Sequence, residues 1–148
     1  MPSILLVAHA PLASAMLAVA QHTYPDCAVQ VKAVDVPPQM SLDEATARVA
    51  AALKALPDPD VLVMVDTFGA TPGNAALAAT DGVSTRVVTG ANVPMLWRTL
   101  CYGHLPLSEL VTRAVDGARQ GIMQVANPRR QDQPQRSFRD DPDSNSDQ

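Results

Sequence analysis

The stretch Ile4-Leu5-Leu6-Val7-Ala8-His9 decides how the chain is read. Five apolar residues in a row, with no alternation, mark a strand buried on both faces, the habit of parallel sheets covered by helices. His9 ends that run. In an open α/β sheet the carboxyl ends of the strands border the ligand crevice, so the imidazole is placed where ligands bind. A second run, Val61-Leu62-Val63-Met64-Val65, ends in the same way on Asp66. One histidine and one carboxylate, each at the tip of its own buried strand, are the least that a reactive histidine requires.

Outward from these runs, short apolar stretches alternate with helical patterns through residue 119, the signature of repeated β-α units on a mainly parallel, doubly wound sheet flanked by helices. Ala13, Met16, Leu17 and Ala20 follow the first strand at helical spacing, with Pro11 in the first turn. Val29 to Val36 reads as a second strand closed by Pro37-Pro38. Ser41 and Glu44 form a capping box, and Leu42, Ala45, Val49, Leu53 and Leu56 then line one helix face until Pro57 and Pro59 stop it. Thr71 is expected as the N-cap of a short third helix, with Pro72 at its first position. Arg86-Val87-Val88-Thr89 gives a fourth strand, followed by the turn Gly90-Ala91-Asn92-Val93-Pro94 and another helix. Leu107, Leu110, Val111, Ala114, Val115 and Ala118 mark a last amphipathic helix ended by Gly121. Ile122 to Ala126 reads as a final short strand, either at the sheet edge or lent to a partner.

The composition narrows the function. The 148 residues form one ordinary domain, and 47% hydrophobic residues with only 3% aromatic imply an aliphatic, alanine-rich core. A net charge of −4 offers no basic stripe to displace counterions, which argues against nucleic acid. The apolar N-terminal run is too short for a signal peptide, and no stretch approaches a membrane span, so a cytoplasmic protein is expected. Cys27 and Cys101, without ligand spacing, are expected to be small buried thiols. Residues 1–126 make the domain. From Asn127 to Gln148 the chain is polar and expected to be disordered.

Three loops converge on the carboxyl edge: Ala8-His9-Ala10-Pro11, Asp66 to Pro72, and Gly90 to Pro94. Helix starts present free amides and a positive dipole end, a site for phosphate oxygens. A histidine beside them can accept a phosphoryl group on one ring nitrogen while a carboxylate holds the other. Asp66 is that carboxylate; Gly69, Ala70 and Thr71 are the candidate phosphate contacts. Asn92 and Pro94 shape the loop bordering the site. Trp97 and Met95 pack or help dock a partner, His22 and His104 face the surface or a partner, and Asp35 and Asp60 read as ordinary strand-boundary charges. No third metal ligand is in view, so neither a metal nor another cofactor is expected.

On His9, the segment Val65-Asp66-Thr67-Phe68-Gly69-Ala70-Thr71-Pro72-Gly73-Asn74, and Gly90-Ala91-Asn92-Val93-Pro94-Met95-Leu96, the chain resembles the IIA domains of the mannose-type sugar phosphotransferase system. The resemblance covers residues 1 to about 126. It implies that His9 is phosphorylated, on Nε2, with Asp66 as its partner. It also implies HPr as phosphoryl donor, a separate IIB protein as acceptor, and a homodimer that exchanges the C-terminal strand at Ile122 to Ala126. Ala10 and Ala70 stand where that family usually has glycine, and Pro11 removes one amide donor. Three other outputs fit the same residues. They are a regulatory module read through its phosphorylation state, the phosphotransfer subunit of a dihydroxyacetone kinase, and a hydrolase using His9 and Asp66 with Ser14 as nucleophile.

Overall fold

The computed structural model describes residues 1–128. Four strands, β1 (Ser3–His9), β2 (Val31–Val36), β3 (Val61–Val65) and β4 (Thr85–Thr89), form one parallel sheet in the order β2-β1-β3-β4. Six helices join them: α1 (Leu12–Thr23), α2 (Pro25–Ala28), α3 (Leu42–Ala55), α4 (Thr71–Ala79), α5 (Val93–Cys101) and α6 (Leu107–Gln120). The doubly wound arrangement expected from the sequence is the one observed, and the short helix α2 is an addition to it.

The central strands divide their side chains between two cores. Ile4, Leu6 and Ala8 of β1 and Leu62 and Met64 of β3 face α1, α5 and α6, where Ala13, Met16, Leu96 and Leu110 meet them. Leu5, Val7, Val61, Val63 and Val65 face α3 and α4, against Val49, Ala75 and Ala76. Both faces of β1 and β3 are therefore dry, which is why neither strand alternates. Small residues set the helix spacing. A Cβ at Gly117 in α6 would lie 2.6 Å from Cβ of Arg98, so α5 and α6 touch at a point where only glycine fits. Strand order reverses between β1 and β3, and His9 and Asp66 stand at that switch point.

Several expectations needed correction. Ala70, not Thr71, is the N-cap of α4: its carbonyl accepts the Asn74 amide at 3.0 Å, so the ladder begins one residue earlier and Thr71 is its first helical residue. Pro11 is the N-cap of α1 rather than a first-turn residue. Ser41 caps α3 as expected, accepting the Glu44 amide at 3.1 Å, but Leu42 turns outward and is exposed. Cys101 is exposed and Cys27 half-buried, because Cys101 ends α5 on its outer side. Ile122 to Ala126 forms no strand within its own chain, whose sheet ends at β4; Ile122, Met123 and Val125 are exposed. His22 and His104 are both at the surface. Most of the expected disordered tail, residues 129–148, lies outside the described residues.

The turn into β4 is tied by one carboxylate. Asp81 accepts from Ser84 Oγ at 2.6 Å, from the Val83 and Thr85 amides at 2.8 and 2.9 Å, and from Thr85 Oγ1 at 2.9 Å. The Ser84 hydroxyl first, then these amides, hold the Asp81 carboxyl well below the usual carboxylate range. A depressed folded pKa stabilises fully above the unfolded value of about 4 and is lost as the pH falls. Asp81→Asn is therefore expected to lower the melting temperature at neutral pH, with the gap to wild type narrowing below about pH 4 in a thermal series.

Candidate functional site

His9 is the last residue of β1, and Asp66 follows the last residue of β3, two strands that pair directly. Asp66 Oδ2 accepts from His9 Nδ1 at 2.7 Å and from the His9 backbone amide at 3.1 Å. Its Oδ1 accepts the Thr67 amide at 3.0 Å. A carboxylate only accepts, so the proton of the neutral ring sits on Nδ1 and the lone pair on Nε2. The His9 side chain is 53% exposed and that of Asp66 12%. The partner is thus shielded and the ring is open to visitors, the order a group-transfer histidine requires.

The loop after Asp66 turns through Gly69, whose φ of +83° suits glycine, and enters α4 at Ala70. Ala70 and Thr71 are half-buried, and Pro72 lacks an N–H. The start of α4 packs tightly on this loop: a Cβ at Gly73 would stand 3.0 Å from the Thr67 carbonyl oxygen. The first amides of α4 and its positive dipole end therefore belong to the same loop as Asp66. The third loop is tied in by the Ala91 amide, which donates to the Val65 carbonyl at 2.9 Å. Asn92 caps α5 through the Met95 amide at 2.9 Å and donates to the Ala118 carbonyl at 3.2 Å, the loop-shaping role expected of it. Met95 is buried, and Trp97 Nε1 donates to Thr23 Oγ1 at 3.1 Å.

Two features of the site were not foreseen. Asp35, read as a boundary charge, accepts both the amide and the hydroxyl of Ser14 in the first turn of α1. Ser14 is thereby paired with a carboxylate rather than with His9. Phe68, two residues beyond Asp66, is 77% exposed. Its neighbourhood is unusual in charge: residues 10–14, 36–42, 67–74 and 89–95 contain no Lys, Arg, Asp or Glu. These loop segments are uncharged and partly apolar, while Arg119 of α6 lines a hollow with Thr89, Gly90 and Asn92.

A half-exposed histidine, held through Nδ1 by a shielded carboxylate at the switch point of a parallel sheet, is the feature around which this α/β fold is compared with others. The family model for the PTS system fructose IIA component matches residues 3–114, and the chain belongs to this family of sugar phosphotransferase system IIA components. Solved structures agree. The mannose/sorbose-specific IIA subunit of the phosphotransferase system from Enterococcus faecalis is 26% identical, with a TM-score of 0.77 over 86% of this chain and 96% of that one. A PTS IIA protein associated with the fucose utilization operon of Streptococcus pneumoniae is 25% identical, with a TM-score of 0.63 over 78% and 93%. Phosphotransferase system component EIIA from Streptococcus agalactiae shares the fold at 20% identity, with a TM-score of 0.73 over 84% and 97%. No curated protein matches the chain. Among the described residues no helix is long and apolar enough to cross a membrane.

Among the described residues, Asp66 is the side chain that accepts from His9 Nδ1 and so sets the tautomer. Asp66→Asn presents an amide that can donate as well as accept, so the variant is expected to fold while His9 populates both neutral tautomers. Ring nitrogen chemical shifts of histidine-labelled protein measure this directly.

Proposed function

We propose that the protein is a phosphohistidine carrier, in which His9 takes a phosphoryl group from phospho-HPr and passes it to a separate IIB protein. The observation that carries this reading is the Asp66–Nδ1 bond, which leaves Nε2 as the exposed lone pair. In the forward step Nε2 attacks phosphorus in line. The donor's P–N bond breaks, its electron pair returns to the donor ring nitrogen, and a new P–N bond forms at His9. The His9 ring becomes a cation that keeps its Nδ1 proton, hydrogen-bonded to Asp66, so the carboxylate stabilises the charge as it develops.

The transferred group carries its negative charge on its own oxygens, and amides around Gly69, Ala70 and Thr71 at the start of α4 are the groups suited to receive them. Asp35 already occupies the Ser14 amide of α1, so that helix start is the weaker candidate. Release to the acceptor is the same step in reverse. The protein works in the cytoplasm, where its donor is made. Residues 1–126 form the working domain, as a homodimer that exchanges Ile122 to Ala126. The exposed apolar side chains of that segment and the open edge of β4 support the exchange.

Incubation with phosphoenolpyruvate, Enzyme I and HPr, followed by intact mass, tests the reading. One acid-labile phosphoryl group is expected on the wild type and none on His9→Ala. No gain while HPr itself is labelled would sink it. The uncharged loop after Asp66 adds a second expectation: affinity for the carrier draws on apolar contact with the exposed Phe68. Phe68→Ala is expected to raise the KM for phospho-HPr about tenfold or more, with the rate at saturation retained. Transfer kinetics over a series of carrier concentrations separate the two parameters.

A further inference from the structure

Asp35 stands beside Ala8 in the pairing of β1 with β2, at the same sheet edge as His9. Its Oδ1 accepts the Ser14 amide at 3.0 Å, and its Oδ2 accepts the Ser14 hydroxyl at 2.5 Å. A hydroxyl donating to a carboxylate makes a charge-assisted bond, stronger than one between neutral groups. Pro11, the N-cap of α1, makes no side-chain cap of its own. A carboxylate from a neighbouring strand thus does the work that a local Ser or Asp does at most helix starts, and its charge suits the positive end of the helix.

The difference from a local cap is mechanical. A cap within the helix secures the helix alone, whereas Asp35 secures α1 to β2. The intervening chain is tied down as well: the Ala10 amide donates to the Val36 carbonyl at 3.0 Å, and the Pro11 carbonyl accepts the Ala15 amide at 3.0 Å. Residues 9–14 therefore run between two carboxylates, Asp66 past the end of β3 and Asp35 on β2, the strands on either side of β1. Released from Asp35, the segment keeps Asp66 and the Ala10–Val36 bond at its His9 end but loses the tie that fixes its α1 end to β2. Misplacement on the scale of about 1 Å is enough to cost a group-transfer step on the order of a hundredfold.

We propose that Asp35, acting through Ser14, is a positioning residue for His9, keeping the ring on Asp66 with Nε2 outward. This rests on the phosphohistidine reading for its consequence in rate, but the placement of the ring can be read without it.

The test uses the full chain and the variants Asp35→Asn, Ser14→Ala and Ser14→Thr. His9 phosphorylation is followed with phospho-HPr at saturation and with phosphoramidate, a small donor that needs no docking. Nitrogen NMR of histidine-labelled protein reads the His9 tautomer. Asp35→Asn and Ser14→Ala are expected to slow both reactions about tenfold or more with little change in KM, and to mix the tautomers. Ser14→Thr, which keeps the hydroxyl, is expected to behave as wild type. A lowered melting temperature with wild-type rates and a single tautomer in both loss variants would overturn the proposal and leave Asp35 a purely structural cap. If Asp35→Asn does not fold, Ser14→Ala decides. Should the wild type accept phosphate from neither donor, the carrier reading fails, and the tautomer measurement still decides the role of Asp35.

Discussion

The bond from His9 Nδ1 to Asp66 Oδ2 is where the fold and the chemistry meet. The same oxygen also accepts the His9 amide, so one carboxylate fixes both the backbone and the ring of its partner. Neither residue could do this from a loop of its own. Each sits at the end of a strand buried on both faces, and the two strands pair in register from Ser3 with Val61 to Val7 with Val65. The aliphatic core that makes those strands rigid is what holds a 2.7 Å contact in place at their tips. Most of the sheet's apolar side chains serve the site only in this indirect way.

Helix packing works to the same end. Alanines and glycines at the contacts let helices lie close to the sheet and to one another, as at Gly117 against Arg98 and Gly73 against the Thr67 carbonyl. The close seat of α4 leaves its first turn no slack, so the loop from Asp66 to Ala70 has a single course. A site of this kind tolerates little added volume beneath it, even at positions that never approach a ligand.

How much of this could be read from the chain alone follows from what each signal depends on. The unbroken apolar runs ending in His9 and Asp66 declared a parallel sheet with a histidine and a carboxylate at two of its strand ends, because burial on both faces leaves a mark in every residue of the run. Ser41 was legible as a cap because its partner amide lies three residues away. Asp35 was not, since its partner Ser14 lies 21 residues earlier, at the start of the helix that follows β1, and no local spacing encodes that meeting. The start of α4 was placed one residue late for a different reason: Thr71-Pro72 looks like a cap followed by a first-turn proline, but the glycine turn before it lets the Ala70 carbonyl open the ladder. Ile122 to Ala126 has the pattern of a strand, yet in its own chain it follows α6 without pairing to the open edge of β4.

The uncharged loops around His9 have a consequence for time. Charged rims speed encounter by drawing partners in over distances of many ångströms, while association without such steering proceeds at about 10⁵–10⁶ M⁻¹s⁻¹. At a carrier concentration of about 1 μM the upper figure allows roughly one collision leading to a complex per second. Under the phosphocarrier reading proposed above, uncharged loops beside His9 make throughput follow the abundance of its partners more than the ionic strength around it.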